Sequence, residues 1–150
     1  MALTELKGQD RGTQTVHIES GPVRVFAAAV LDPRPEYRAD DAVVPPTFPF
    51  VMPFWGSMGT GGAAGLPIED LRGPGRMILH GEQSFTYHRT PRAGDTLEGT
   101  STVTDVYEKD RGNGATMEFY VLDTAWVDAA TREPVCNATF TLVVNQRAPK

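Results

Sequence analysis

Cysteine occurs once in the 150 residues, at Cys136, so no internal disulfide can form and stability must come from a packed core. A lone thiol suits a reducing compartment, and a cytoplasmic location is expected. No apolar run reaches the roughly 18 residues of a membrane span, so no membrane association is expected. The opening Met1-Ala-Leu-Thr-Glu-Leu-Lys7 has no basic-then-apolar leader. Positive charge is short: 14 Lys and Arg stand against 19 Asp and Glu. The net charge of −5 argues against nucleic acid as a partner, because phosphate neutralisation needs clustered cations. His17, His80 and His88 lack metal-ligand spacing, so no metal is expected. Nucleophile elbows and phosphate loops are missing too, and Gly59-Thr-Gly-Gly62 has no suitable flanking strand and helix for a dinucleotide fingerprint.

What remains is an ordinary globular composition, 40% hydrophobic and 22% charged. Its length suits one domain over residues 1–150, with a core expected over about 13–145. Residues 13–19 have the β-branched content and partial alternation of a short strand. Ser20 reads as a helix N-cap with Pro22 in the first turn. Val23, Phe26, Ala27, Val30 and Leu31 then recur at helical spacing. With Ala28 and Ala29 between them, this helix is apolar nearly all round and is expected to be buried by sheet, until Pro33 and Pro35 stop it. Its first turn at Ser20-Gly21 could aim backbone N–H groups at an anionic oxygen, or simply be capped.

Residues 32–75 are irregular and hold most of the prolines and nearly half of the glycines. Within them Phe50, Met52, Phe54, Trp55 and Met58 suit the wall of an apolar tunnel, or a core-covering loop. From residue 77 long strands follow. Phe85 and Tyr87 share a face, and Pro91–Asp95 makes a turn. Parity slips between Val103 and Val106, as at a bulge, and Lys109–Gly114 forms a hairpin turn. Further alternating segments lie before and after the turn at Asp128–Pro134. Together they predict a four-stranded antiparallel meander, with Cys136 in the core. Strand, helix, irregular segment and meander compose an α+β domain: a long antiparallel sheet wrapped around one central helix.

Asp32-Pro-Arg-Pro-Glu-Tyr37, directly after the helix pattern, resembles D-x-N-P-x-H, the acid/base motif of the MaoC-like enoyl-CoA hydratases and dehydratases. Asp32 and Pro35 match that motif; Arg34 replaces its Asn and Tyr37 its His. Three further stretches are similar to the N-terminal, FAS1-like dehydratase half of that family. They are Val44-Pro-Pro-Thr-Phe-Pro-Phe50, the strand from Leu79 to Arg89 with its turn at Ala93-Gly-Asp95, and Asn137-Ala-Thr-Phe-Thr-Leu142. The resemblance implies a hot-dog fold and no cofactor, the substrate being an acyl-CoA or acyl-carrier-protein thioester.

In that family two hot-dog halves share one continuous sheet. One half keeps the Asp/His pair, and the other shapes the acyl tunnel. Tyr37 marks this chain as resembling the second kind. The implied partner is a second MaoC-like subunit, in a heterodimer or a dimer of heterodimers, otherwise a homodimer. The implied activity is (R)-specific enoyl-CoA hydration or 3-hydroxyacyl thioester dehydration. Syn addition of water needs a base, an acid and donors for the enolate oxygen. A phenol with a reference pKa near 10 is a poor base, and Asp32 serves as one only if burial raises its pKa. The polar cluster His80, Gly81, Glu82 and Gln83 is expected to meet the acyl thioester or the partner, or to be a solvated strand edge. Two alternatives stay open: a homodimer acting alone, as a hydratase or as a thioesterase using Asp32 or Glu36, and a non-enzymatic acyl-CoA or lipid-binding module.

Overall fold

The computed structural model describes residues 3–55, 66–112 and 114–147. Five strands form one antiparallel sheet: β1 (Asp10–His17), β2 (Arg76–Tyr87), β3 (Thr96–Gly112), β4 (Ala115–Asp128) and β5 (Pro134–Gln146). Helix α1 (Ser20–Ala29) packs on the concave face, and a single turn of helix, α2 (Ile68–Leu71), precedes β2. None of the described helices is long and apolar enough to cross a membrane.

The spatial order is β1-β3-β4-β5-β2, which corrects the expected four-stranded meander. Only β3, β4 and β5 follow one another as hairpins. Strand β2 joins the far side of β5, so the turn at Pro91–Asp95, present with Asp95 N donating to Arg92 O at 3.1 Å, belongs to a crossing and not to a hairpin. Other donors of the turn are spent elsewhere: Ala93 N donates to Ala42 O and Gly94 N to Ile18 O, both at 2.8 Å. Arg89 then bridges Asp95 at 2.6 Å and Asp128 at 3.0 Å, which fastens the crossing to the end of β4. Alternation reports which face a residue occupies, not which strand lies next to it. The slip expected near Val103 is present as a register shift between Val103 and Asp105. Strand β3 runs on to Gly112, so the expected turn at Lys109–Gly114 is mostly strand.

The helix departs from expectation at both ends. Ser20 is its first residue, and the cap position falls on Glu19, with no side-chain cap bond. Ser20 Oγ instead accepts from Arg24 Nη2 at 3.1 Å. At the far end Leu31 adopts a left-handed backbone, φ 58°. Leu31 N donates to Ala28 O (3.1 Å) and Asp32 N to Ala27 O (2.9 Å), a Schellman closure made with leucine where glycine is usual. The helix is also not buried all round. Val23 and Ala27 are buried, whereas Val25, Val30 and Leu31 are 69%, 48% and 88% exposed. A ten-residue helix lying on one concave sheet has only one face to cover.

The core has two parts. Under α1, Val16, Ile18, Val23, Ala27, Leu97, Trp126, Val135 and Cys136 pack with Tyr37, Phe48 and Met52. The second part gathers Leu6, Leu66, Leu71, Val103, Tyr120, Leu122, Leu142 and Val144. Between them on the concave face lies a buried polar pair, Ser101 Oγ and Thr124 Oγ1, 2.8 Å apart.

Candidate functional site

The Schellman turn delivers Asp32 to the lip of a cavity of about 300 Å³ lined by Arg24, Ala27, Ala28, Asp32, Arg34, Tyr37 and Arg38. A 3-10 turn, Pro35–Tyr37, follows and drops Tyr37 into the core at 3% exposure. Arg34 lies between the two. Its Nε donates to both oxygens of Asp32 at 3.0 and 3.1 Å, and its Nη2 donates to Oδ2 at 2.8 Å. Asp32 Oδ1 also accepts the backbone N–H of Arg34 at 3.2 Å. The guanidinium packs over the Tyr37 ring, 4.8 Å from its centroid, donates to the phenol oxygen, and reaches Glu36 at 3.5 Å. The structure thus brings Asp32, Tyr37 and Glu36 together through one arginine.

That arrangement fixes the chemistry of the pair. The Arg34 hydrogen bonds hold the Asp32 carboxyl below its ordinary value, the opposite of what a general base needs. Burial pushes the Tyr37 phenol up, so it stays neutral. A carboxyl held below its ordinary value and a phenol held above its own are poorly matched as an acid/base pair near neutral pH.

The consequence for acid is specific. Asp32 is more acidic folded than unfolded, so the unfolded chain takes up its proton first as pH falls. The contribution of this carboxylate to stability is full above the unfolded value of 3.8 and drains away as pH drops through the lower folded value. Carboxyl-carbon NMR is expected to find the Asp32 midpoint below 3.8, and Arg34→Ala is expected to return it toward that value.

A second cavity, about 390 Å³, is an apolar trough beside β2, lined by Phe26, Thr47, Phe50, His80, Gln83, Ser84 and Phe85. The His80 ring is held between Phe50 and Phe140, with centroids 5.1 and 4.7 Å away. Tyr87 donates to Pro46 O at 2.5 Å and tacks the overhanging segment onto the strand. Of the residues expected at a tunnel wall, Phe50 lines this trough, Met52 is fully buried beneath α1, and Phe54 and Trp55 are 54% and 51% exposed. Met58 lies outside the described residues. Gly81 sits at the bulge that breaks the β2–β5 register, where a Cβ would come within 2.6 Å of Val143 Cγ2. Phe26 and Phe85 were legible only as core-facing positions, and nothing in the sequence marked Arg24 or Arg38. Cys136 is buried on β5, its thiol pushed up to about 11 by burial. Among the described residues no group of three His, Cys, Asp or Glu could hold a metal ion.

A long antiparallel sheet curved over one helix, with a motif loop at the helix end and a trough beside it, defines a hot-dog protein. The chain belongs to the FAS1-like, dehydratase domain region family, whose model matches residues 5–138. A relative from Thermobifida fusca, a UPF0336 protein, is 32% identical over 138 residues, 85% of this chain and 82% of that one. Among solved structures, the C-terminally truncated HadBC (3R-hydroxyacyl-ACP dehydratase) complex of Mycobacterium tuberculosis aligns with a TM-score of 0.71 at 20% identity. It covers 95% of this chain and 99% of that one. The ChsH1-ChsH2 complex of the same organism aligns at 0.70 and 16%, over 99% and 91%. These two likenesses show the fold.

Proposed function

We propose that this chain is the half of a two-subunit hot-dog hydratase or dehydratase that does not move protons. It binds the acyl chain of a 2-enoyl or (R)-3-hydroxyacyl thioester, carried on CoA or on an acyl carrier protein. Its partner is a second hot-dog subunit with an intact Asp/His motif. The observation that carries this reading is the grip of Arg34 on Asp32, which occupies the motif carboxylate and leaves Tyr37 where a histidine would be needed. The HadBC and ChsH1-ChsH2 neighbours, both described as complexes, support a paired assembly. Strand β2 supports it as well: like β1 it is an edge of the described sheet, and it is the edge that carries the trough. A second sheet added along β2 would close the trough beside it and shield the bound chain from water.

In this reading Phe26, Phe50, His80 and Phe85 hold the acyl group by burial, and the partner's acid and base act on its α,β carbons. The test is turnover of a 2-enoyl thioester by the purified chain alone and by the chain with the hot-dog subunit that co-purifies with it. No turnover alone and turnover by the pair are expected. Asp32→Asn within the pair is expected to change kcat/KM by less than about threefold, whereas loss of the partner's motif His costs about 10²–10⁴-fold. Turnover by the isolated chain that collapses on Asp32→Asn would overturn the reading.

A further inference from the structure

Adjoining the trough is a small chamber of about 30 Å³, lined by Pro49, Phe50 and Pro53 together with Gln83, Thr124 and Trp126. Phe50 and Gln83 belong to both cavities, so these two side chains are the wall between them. Gln83 is anchored: its Nε2 donates to Thr139 O at 3.0 Å. Its Oε1, by contrast, is buried and accepts no hydrogen bond. Of the chamber lining, Thr124 Oγ1 is paired with Ser101 Oγ at 2.8 Å and retains a further lone pair. A buried amide oxygen without a donor costs about 1–3 kcal/mol, so a donor that reaches it gains in binding. Gln14 Oε1 is in the same state, but of the two only Gln83 lines a cavity with Phe50. The chamber has room for about one water-sized group, which admits a hydroxyl and excludes a ring.

We propose that the chamber is the inner end of the trough and that Gln83 selects a ligand chain bearing a hydroxyl group. The ligand O–H donates to Gln83 Oε1 once the Phe50 ring swings aside. This inference rests on the acyl-binding reading above and names the class of chain that the trough prefers. It makes Gln83 a specificity-determining residue.

The test measures binding alone, on the full chain as purified, so it stands apart from catalysis. The probes are octanoyl N-acetylcysteamine thioester and its hydroxylated forms, with the hydroxyl stepped from the fourth carbon to the eighth. One hydroxylated isomer is expected to bind about tenfold more tightly than the plain chain. Gln83→Met keeps the side-chain length and removes the acceptor. It is expected to abolish that preference, read as the ratio of hydroxylated-chain to plain-chain affinity on the same variant, so that any change in plain-chain affinity at this trough-lining position cancels. Plain-chain binding without any preference in the native chain overturns this inference and leaves the acyl-binding reading standing. A preference that survives Gln83→Met overturns it equally. Failure of every probe to bind overturns both.

Discussion

Replacing Arg76 with methionine is expected to destabilise the chain by about 3–5 kcal/mol, read as a lowered urea midpoint at neutral pH. Arg76 enters the second core at the start of β2 and meets Glu118 Oε2 at 2.5 Å. The Glu118 side chain is 8% exposed and that of Arg76 24%. The same carboxylate oxygen accepts the Tyr120 hydroxyl at 2.8 Å, and Arg76 Nε donates to Leu71 O at 2.8 Å. The guanidinium therefore joins three elements: α2, β2 and β4. Methionine fills similar volume but leaves Glu118 charged and unpaired among leucines and valines, which is the costly half of a broken buried pair. The double change Arg76→Met/Glu118→Leu is expected to recover all but about 1 kcal/mol, the remainder reflecting the Tyr120 hydroxyl left without an acceptor. Equal losses in the single and double variants would show that packing, not charge, governs this corner.

Gly99→Ala is expected to cost about 1–3 kcal/mol and to shift the near-ultraviolet signal of Trp126. A Cβ on Gly99 would stand 2.6 Å from both Cε3 and Cζ3 of that indole, which is 1% exposed. The ring lies flat across the β3 backbone, at the boundary between the helix-side core and the Ser101–Thr124 pair. Val135 and Cys136 of the same core are fully buried, and the cavity of about 30 Å³ that the indole borders is too small to take the ring. The same substitution at Gly21, in the first turn of α1, meets nothing within 4 Å and has the opposite expected sign. There alanine is expected to stabilise by about 0.5 kcal/mol through its helix propensity. Measuring the two glycines together separates a steric requirement from a propensity effect.

The elements themselves were readable because their apolar residues recur at periods of 3.6 and 2. Val23 and Ala27 faced inward as spaced, and β3 alternated as written through Val103. By contrast, β4 buries Glu118, Tyr120, Leu122, Thr124 and Trp126 rather than the apolar set Met117, Phe119, Val121 and Ala125, and β5 buries Thr141 to Val144 without alternation. Strand adjacency was not readable. The pattern of β2 is the same whether it lies next to β3 or β5, and the choice is made by the crossing that Ala42, Ile18 and Arg89 hold in place. Solvent also defeated the pattern where the helix runs off its sheet, at Val30 and Leu31. At the candidate site the substitutions Arg34 for Asn and Tyr37 for His were visible as letters. The grip of Arg34 on both Asp32 oxygens was not, because it depends on the left-handed turn at Leu31 that aims the carboxylate. Gln83 could be placed in a polar cluster, but its orphan oxygen could not be read, because Phe50, Thr124 and Phe140, with which it lines the small chamber, come from distant parts of the chain.

Strand β2 has one more consequence, and it concerns the cell rather than the reaction. Its twelve residues run from Arg76 to Tyr87 with an open flank, and Arg76 and Glu82 are its only charges. It contains no lysine and no proline, so the Gly81 bulge is the main guard against adventitious strand pairing. Such an edge is a template for aggregation in any molecule that waits unpartnered. In the paired assembly proposed above, the abundance of this chain is tied to that of the subunit covering β2, and surplus copies become work for chaperones and proteases.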